Sequence, residues 1–361
     1  MIKHLINEFA REELPYKMGG ISVSAAKKIS GFQKIDKLSA NENPFGVSEM
    51  AMAAVKEAAG QGNYYPDPAS TDLVENLCGG LGIGENQILL THGATAALSM
   101  AGEVLLRPGD EMIIPELTYP AYYNIVYKSR ARLMEIPMGE GLKIDLDGIL
   151  EQITERTKLI ILCNPNNPTG IYMSTWEILD FLDRIPPHVF VMVDEAYVHF
   201  AEEDIPSMVP YITEKRNLIV VQTFSKIYGM AGYRMGYVIS NPEIISYLSR
   251  DLEPYAPGSL AIAAAAAAIK DEEFKALTLK LTGEGKSYLT GELRALGCKV
   301  YPSATNFIYF DCGIDPRLLT EQTVKKCGVL IRGNFPCARI TIGKKEQNET
   351  FIKAMKEILH S

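Results

Sequence analysis

The chain has 361 residues, 47% of them hydrophobic and 22% charged, with a formal net charge of −8. This is the composition of a globular protein long enough for two domains, and an acidic balance without a long basic run excludes nucleic acid as the main partner. Six scattered cysteines without a C-x-x-C pair and five histidines without zinc spacing give no metal site, and the longest apolar run, Leu260–Ile269, is about half a membrane span.

In chain order, residues 1–14 read as an amphipathic N-terminal helix with no signal-peptide core, which points to a cytoplasmic protein with free thiols. Pro15, Gly19, Gly20 and Gly31 then break the chain into an extended arm, which ends in the turn-rich cluster Asn41-Glu42-Asn43-Pro44-Phe45-Gly46. Ser48 is a natural cap for a helix over 50–59. A loop with two adjacent tyrosines, Tyr64 and Tyr65, leads to a helix from Thr71 to about Gly80.

Strands and helices alternate from there. Ile88–Thr91 reads as a strand, followed by the turn His92-Gly93-Ala94-Thr95 and an alanine-rich helix over 96–106. A strand, a glycine turn and a helix N-terminus together make an anion site, although the same letters also fit an ordinary β–α turn. Strands are predicted over 111–114, 133–136, 159–163, 189–193, 218–221 and 236–240, and helices over 118–127, opening with Tyr119, and 174–184. Continuous apolar runs separated by helices indicate a mostly parallel sheet covered on both faces. In such sheets ligands bind at the carboxyl ends of the strands, where Gly93, Asn167, Asp194, Tyr197 and Lys226 all fall. Past residue 254 come helices over 261–269 and 271–296, four short strands and a closing helix over 345–359. The fold class is therefore α/β. Residues 46–254 are expected to form a large ligand-binding domain, and 255–361, joined by the arm 1–45, a smaller α+β domain.

Chemistry concentrates in Thr223-Phe224-Ser225-Lys226, directly after the apolar run 218–221, with Arg234 eight positions beyond the lysine. Desolvation at such a turn lowers a lysine's pKa and frees its amine for attack. Two hydroxyls and a guanidinium fork suit a phosphate. An amine that forms a Schiff base beside a phosphate cradle is the binding logic of pyridoxal 5'-phosphate (PLP). The tetrapeptide alone fits a solvated surface lysine equally well.

The segments NENPFG, YYPDP, HGATAAL, LCNPNNPTG, VDEAY, TFSKIYGMAGYRMGY, PSATNFI and RITIG follow one another in the order found in fold-type I, PLP-dependent class I and II aminotransferases. The chain resembles that family over nearly its whole length, the histidinol-phosphate aminotransferases above all. The resemblance implies that Lys226 is the Schiff-base lysine, that Asp194 keeps the pyridine nitrogen protonated, and that Asn167 and Tyr197 donate to the cofactor's phenolic oxygen. It implies that Tyr119 stacks on the ring. Ala94, Thr95, Thr223, Ser225 and Arg234 match the phosphate cup, which Tyr65 of a second subunit completes in a homodimer, with Tyr64 as the alternative. Arg332, Arg339 and Tyr16 match substrate-contacting positions. The implied reaction passes an amino group from histidinol phosphate to 2-oxoglutarate, with aromatic amino acids as alternative donors and a threonine-phosphate-type decarboxylation as an alternative reaction. A non-catalytic ligand-binding module does not fit, because the lysine, aspartate, asparagine and tyrosine are all present. Two departures bear on the donor: Gly93-Ala94-Thr95-Ala96 lacks the acidic residue common after this turn, and Glu253-Pro254-Tyr255-Ala256-Pro257-Gly258-Ser259 lacks the usual asparagine.

Overall fold

The computed structural model describes residues 2–6, 20–201, 207–215 and 217–360. Most of the expected N-terminal helix, and Tyr16 with it, lies outside the described residues. Within the arm, α1 (Val23–Ser30) replaces the expected extended chain; Ser22 Oγ accepts from Ala25 N–H and Gly31 ends the helix at φ 76°. The flanking glycines read as breakers, but they bound a helix with its own cap. A short strand, β1 (Asp36–Lys37), follows. The helices α2 (Glu49–Ala59), capped by Ser48, and α3 (Thr71–Leu81) come next.

Seven strands form the central sheet: β2 (Ile88–Thr91), β3 (Glu111–Pro115), β4 (Arg132–Ile136), β5 (Thr157–Cys163), β6 (Phe190–Asp194), β7 (Leu218–Thr223) and β8 (Gly236–Ile239). Their order is β2-β8-β7-β6-β5-β3-β4, and β8 runs antiparallel to both of its neighbours. Side chains alternate between two cores. Ile160 and Leu162 face one, with Val191, Val193 and Val220, while Leu159, Ile161 and Cys163 face the other, with Met192, Ile219 and Val221. Burial on both faces is why these strands read as unbroken apolar runs.

The covering helices include α4 (Ala94–Leu105), α5 (Tyr122–Ser129), α6 (Leu146–Glu151), α7 (Thr175–Arg184) and α8 (Pro242–Leu248). Tyr119 does not open α5 but lies in the turn before it, since a residue preceding proline is kept from the α region. The alanine helix α9 (Ser259–Ala268) packs on α2, and its buried Ala261, Ala264, Ala265 and Ala268 belong to the first core of the large sheet, although the helix lies beyond residue 254.

The long α10 (Glu272–Ala295) leads to β9 (Lys299–Val300), β10 (Phe307–Asp311), α11 (Pro316–Cys327), β11 (Val329–Leu330), β12 (Ala338–Thr341) and α12 (Lys345–Leu359). Here β12-β10-β9 form an antiparallel sheet, and β1 of the arm pairs in parallel with β11. Leu289, Ile308, Phe310, Ile340 and Phe351 centre a separate core, which also takes in Leu38 of the arm. Among the described residues no helix is long and apolar enough to cross a membrane, and no group of three or more His, Cys, Asp or Glu could hold a metal ion.

Candidate active site

The register brings one edge of the large sheet into focus. Thr91 and Thr223 both pair with Gly236, Asp194 pairs with Val221, and Cys163 with Asp194. The turns leaving β2, β5, β6 and β7 therefore open on the same side.

Lys226 lies three residues past the end of β7. Its Nζ donates to Ala40 O at 3.2 Å and stands 5.6 Å from the centre of the Tyr197 ring. Burial lowers its pKa to about 8; the Arg339 charge acts in the same direction, while Glu42 and Asp194 oppose it. Asp194, at the end of β6, is 3% exposed. Tyr122 Oη donates to its Oδ2 at 2.8 Å and Ala196 N–H to its Oδ1 at 3.1 Å. Burial pushes the carboxyl above its ordinary range, against these hydrogen bonds and the pull of Lys226. Each of the two groups thus acts on the other's ionisation.

The turn after β5 supplies Asn167, whose Nδ2 donates to Tyr197 Oη at 3.4 Å. Arg339 donates through Nη1 to Asn167 Oδ1 and through Nη2 to Ser39 O at 2.9 Å, and its guanidinium lies over Phe307 and Phe335. Arg332 faces Arg339 across a two-residue bridge, and its guanidinium rests against Gly20 of the arm. Tyr119 sits edge-on to Tyr122, their ring centres 5.5 Å apart. Its turn is tied down by Asn166, which accepts from Thr118 Oγ1 at 3.0 Å and donates to Leu117 O at 2.9 Å.

A second cluster forms where α4 begins. Gly93 is its N-cap, with φ 76° and ψ 164° and no side chain to satisfy the first N–H groups, which belong to Ala94 and Thr95. A Cβ on Gly93 would lie 2.7 Å from Arg234 Nη2, and one on Gly236 would lie 2.6 Å from Ala94 N. Arg234 Nη1 donates to Ala231 O at 2.9 Å and reaches Ser225 Oγ at 3.4 Å; Thr223 Oγ1 donates to Ser225 Oγ at 3.0 Å. Free N–H groups at a helix start, two hydroxyls and a guanidinium meet here, as an anion site requires.

Tyr65 stands apart from both clusters. It is 78% exposed and stacks on Tyr255, with centroids 4.3 Å apart and planes 20° apart. A wide cavity of about 1100 Å³, lined by Gln87, Phe190, Leu218, Asn241 and Tyr247, opens at the opposite ends of β6 and β7 and contains none of these residues.

Two participants carried no signal as single letters. Tyr122, read only as part of a helix, bonds Asp194, and Asn41, read as the start of the turn segment NENPFG but given no role of its own, donates to Tyr197 Oη at 2.8 Å. The residues clustered here are a nucleophile, an acid, paired amide donors and an anion cradle, which together suit chemistry on a phosphorylated, ionisable ring compound.

The profile of the family Aminotransferase class I and II matches residues 33–355. A histidinol-phosphate aminotransferase of Moorella thermoacetica is 37% identical over 352 residues, 96% of this chain and 90% of the relative. The solved histidinol-phosphate aminotransferase of Sinorhizobium meliloti, in complex with pyridoxal-5'-phosphate, superposes with a TM-score of 0.91 at 26% identity, over 98% of this chain and 97% of that one. The L-threonine-O-3-phosphate decarboxylase of Porphyromonas gingivalis superposes with a TM-score of 0.79, also at 26% identity, over 91% of this chain and 100% of that one. Matched from the arm to the closing helix, the chain belongs to the class I and II aminotransferase family.

Proposed function

We propose that this chain moves an amino group between histidinol phosphate and 2-oxoglutarate, with Lys226 holding the cofactor. The chain is a PLP-dependent aminotransferase; the donor, the acceptor and the residue roles are the proposal. The observation that carries it is a desolvated amine with a pKa of about 8 beside a buried carboxylate, at the ends of adjacent strands.

The residues fit PLP. The cradle that a Cβ on Gly93 would fill is lined by Arg234 and by the N–H groups that open α4, so Ala94, Thr95, Thr223, Ser225 and Arg234 would hold its phosphate. Asp194 would hold the ring nitrogen, because a buried carboxylate favours a cationic partner. Asn167 and Tyr197 would hold the ring oxygen, and Tyr119 the ring face. When bound, PLP supplies an electron sink that acidifies the bonds at the donor's Cα.

The chain's own groups do the rest. With a pKa near 8, Lys226 gives up its proton far more readily than an ordinary lysine, so its Nζ can take a proton from the donor's Cα and return one. Asp194 would hold the proton on the ring nitrogen. Arg339 and Arg332, with Tyr16, would bind the acidic group of the donor and, in turn, of the acceptor. The guanidinium of Arg339, oriented by Asn167 and Ser39, supports that reading through its planar fork.

The exposure of Tyr65 supports a homodimer in which it reaches the neighbouring copy's phosphate cup. The same reading divides the chain into a cofactor-binding lobe, 46–254, and a smaller lobe built from 255–361 and the arm 1–45, with α9 packed into the core of the former.

The likeness to the Porphyromonas gingivalis enzyme favours a second reading, decarboxylation of a phosphorylated amino acid. One screen separates the two. PLP-loaded protein is mixed with single candidate donors and the visible absorbance followed, with carbon dioxide measured in parallel. Histidinol phosphate is expected to convert the spectrum and 2-oxoglutarate to restore it. Inert histidinol phosphate with reactive phenylalanine or tyrosine, or carbon dioxide released from threonine phosphate without an acceptor, overturns the proposal.

A further inference from the structure

Asn41 belongs to the turn cluster of the arm, and its turn chemistry does not account for its surroundings. It is 1% exposed and has φ 55°, a left-handed conformation that asparagine tolerates. A side-chain amide so buried needs partners at both ends. Its backbone N–H donates to Thr341 Oγ1 at 2.9 Å, and Thr341 Oγ1 in turn donates to Asn41 Oδ1 at 3.3 Å. The threonine hydroxyl thus accepts from the backbone and gives its one hydrogen to Oδ1. Nδ2 then faces the other way and donates to Tyr197 Oη at 2.8 Å. Asn306 Nδ2 donates to Asn41 O at 3.1 Å, so the residue is pinned from two places in the smaller lobe.

The other side of Tyr197 is fixed by the same logic. Arg339 is a donor only, so the oxygen of Asn167 that it binds must be Oδ1, and Asn167 also presents Nδ2 to Tyr197 Oη, at 3.4 Å. Two amides therefore donate to one phenolic oxygen. An oxygen that accepts twice keeps its own hydrogen for a third direction, and hydrogen bonds received by a hydroxyl strengthen the one it gives.

We infer that Asn41 is a positioning residue for the reaction: by donating to Tyr197 Oη from the arm, it compels Tyr197 to act as a hydrogen-bond donor toward the cofactor. The inference rests on the reading of Tyr197 as cofactor-facing. It also gives the arm a task besides contacting substrate, because Asn41 ties the hydroxyl of Tyr197 to Thr341 and Asn306 of the smaller lobe.

A double-mutant cycle tests it. Asn41→Asp keeps the size, the tolerated backbone and the Thr341 contact, but its carboxylate accepts and turns the Tyr197 hydrogen onto itself. Asn41→Gly keeps the backbone and removes the side chain without adding charge. Each is made alone and with Tyr197→Phe. The readout is the midpoint pH at which the visible absorbance of PLP-loaded protein changes, with the Tm of PLP-free protein as the folding control. Asn41→Asp and Tyr197→Phe are each expected to raise the midpoint by about one pH unit, the worth of one hydrogen bond to a charged oxygen, and Asn41→Gly by less. In the Tyr197→Phe background neither Asn41 variant is expected to move it further. Both Asn41 variants are expected to lower kcat about tenfold with little change in KM.

Equal shifts of the midpoint in both backgrounds overturn the inference, since Asn41 would then act by charge or by general structure. So does a midpoint that moves with Tyr197→Phe but with neither Asn41 variant. A midpoint unmoved by Tyr197→Phe overturns the placement of Tyr197 at the cofactor, and the inference with it.

Discussion

Gly93→Ala probes the anion cradle at its tightest point. At φ 76° and ψ 164° Gly93 occupies a region essentially closed to other residues, and a side chain there costs about 1–3 kcal/mol. The added Cβ would lie 2.7 Å from Arg234 Nη2 and 3.2 Å from Cζ, so the guanidinium must move. It is the far end of a flexible side chain, so its displacement adds little to the folding cost but draws it away from Ser225 Oγ. One charge-assisted hydrogen bond is worth about 1.5–3 kcal/mol, so PLP binding weakens about 10- to 100-fold. Denaturant unfolding of PLP-free protein and absorbance titration with PLP measure the two effects separately. Gly31→Ala is the control: it has the same φ of 76°, but no atom lies within 4 Å of its Cβ. It should lose about 1 kcal/mol of stability and bind PLP normally. A Gly93→Ala protein that is destabilised yet binds PLP as tightly as the wild type would refute the cradle.

Lys226→Met should stabilise the PLP-free protein at pH 7. The lysine's pKa falls from 10.5 to about 8 on folding, so below pH 8 both states are charged and the full burial cost is present. Between about 8 and 10.5 the folded state gives up its proton first, and the cost fades as pH rises. The Tm advantage of Lys226→Met should therefore shrink from pH 7 to pH 10; an advantage independent of pH would contradict a desolvated amine. Tyr122→Phe removes the 2.8 Å bond to Asp194 Oδ2 from a buried carboxylate, so it should cost about 1–3 kcal/mol in denaturant unfolding of PLP-free protein and weaken PLP binding several-fold. Asp271→Ala removes the cap that accepts from Phe274 N–H at 3.0 Å and the partner of Ser48 Oγ at 2.6 Å, which itself caps α2. It should cost about 1–2 kcal/mol in chemical denaturation and leave PLP affinity unchanged.

The large sheet was legible in the sequence because burial on both faces writes itself as apolar runs; Leu218–Val221 makes up the first four of the six residues of β7. Several helices were harder. α8 and α11 begin at Asn241-Pro242 and Asp315-Pro316, cap-and-proline pairs that announce a helix start, yet α11 has no continuous apolar face to confirm one. In the arm, α1 hides between glycines that only stop it. At the site, residues that end strands could be found from the strands themselves, and the register shows why Asp194 and Lys226 share an edge. Tyr122 and Asn41 could not be found, because their bonds reach across 72 and 156 residues and depend on how α5 and the arm dock. Local letters specify turns and caps, whereas only the assembled fold specifies which turn meets which.

The most direct measurement is to reduce the PLP-loaded protein with borohydride, digest it and locate the attached pyridoxyl group by mass spectrometry. The account predicts a single modified peptide, with the label on Lys226, and no labelling of Lys226→Met protein. A label on another lysine, or none on the wild-type chain, would contradict it.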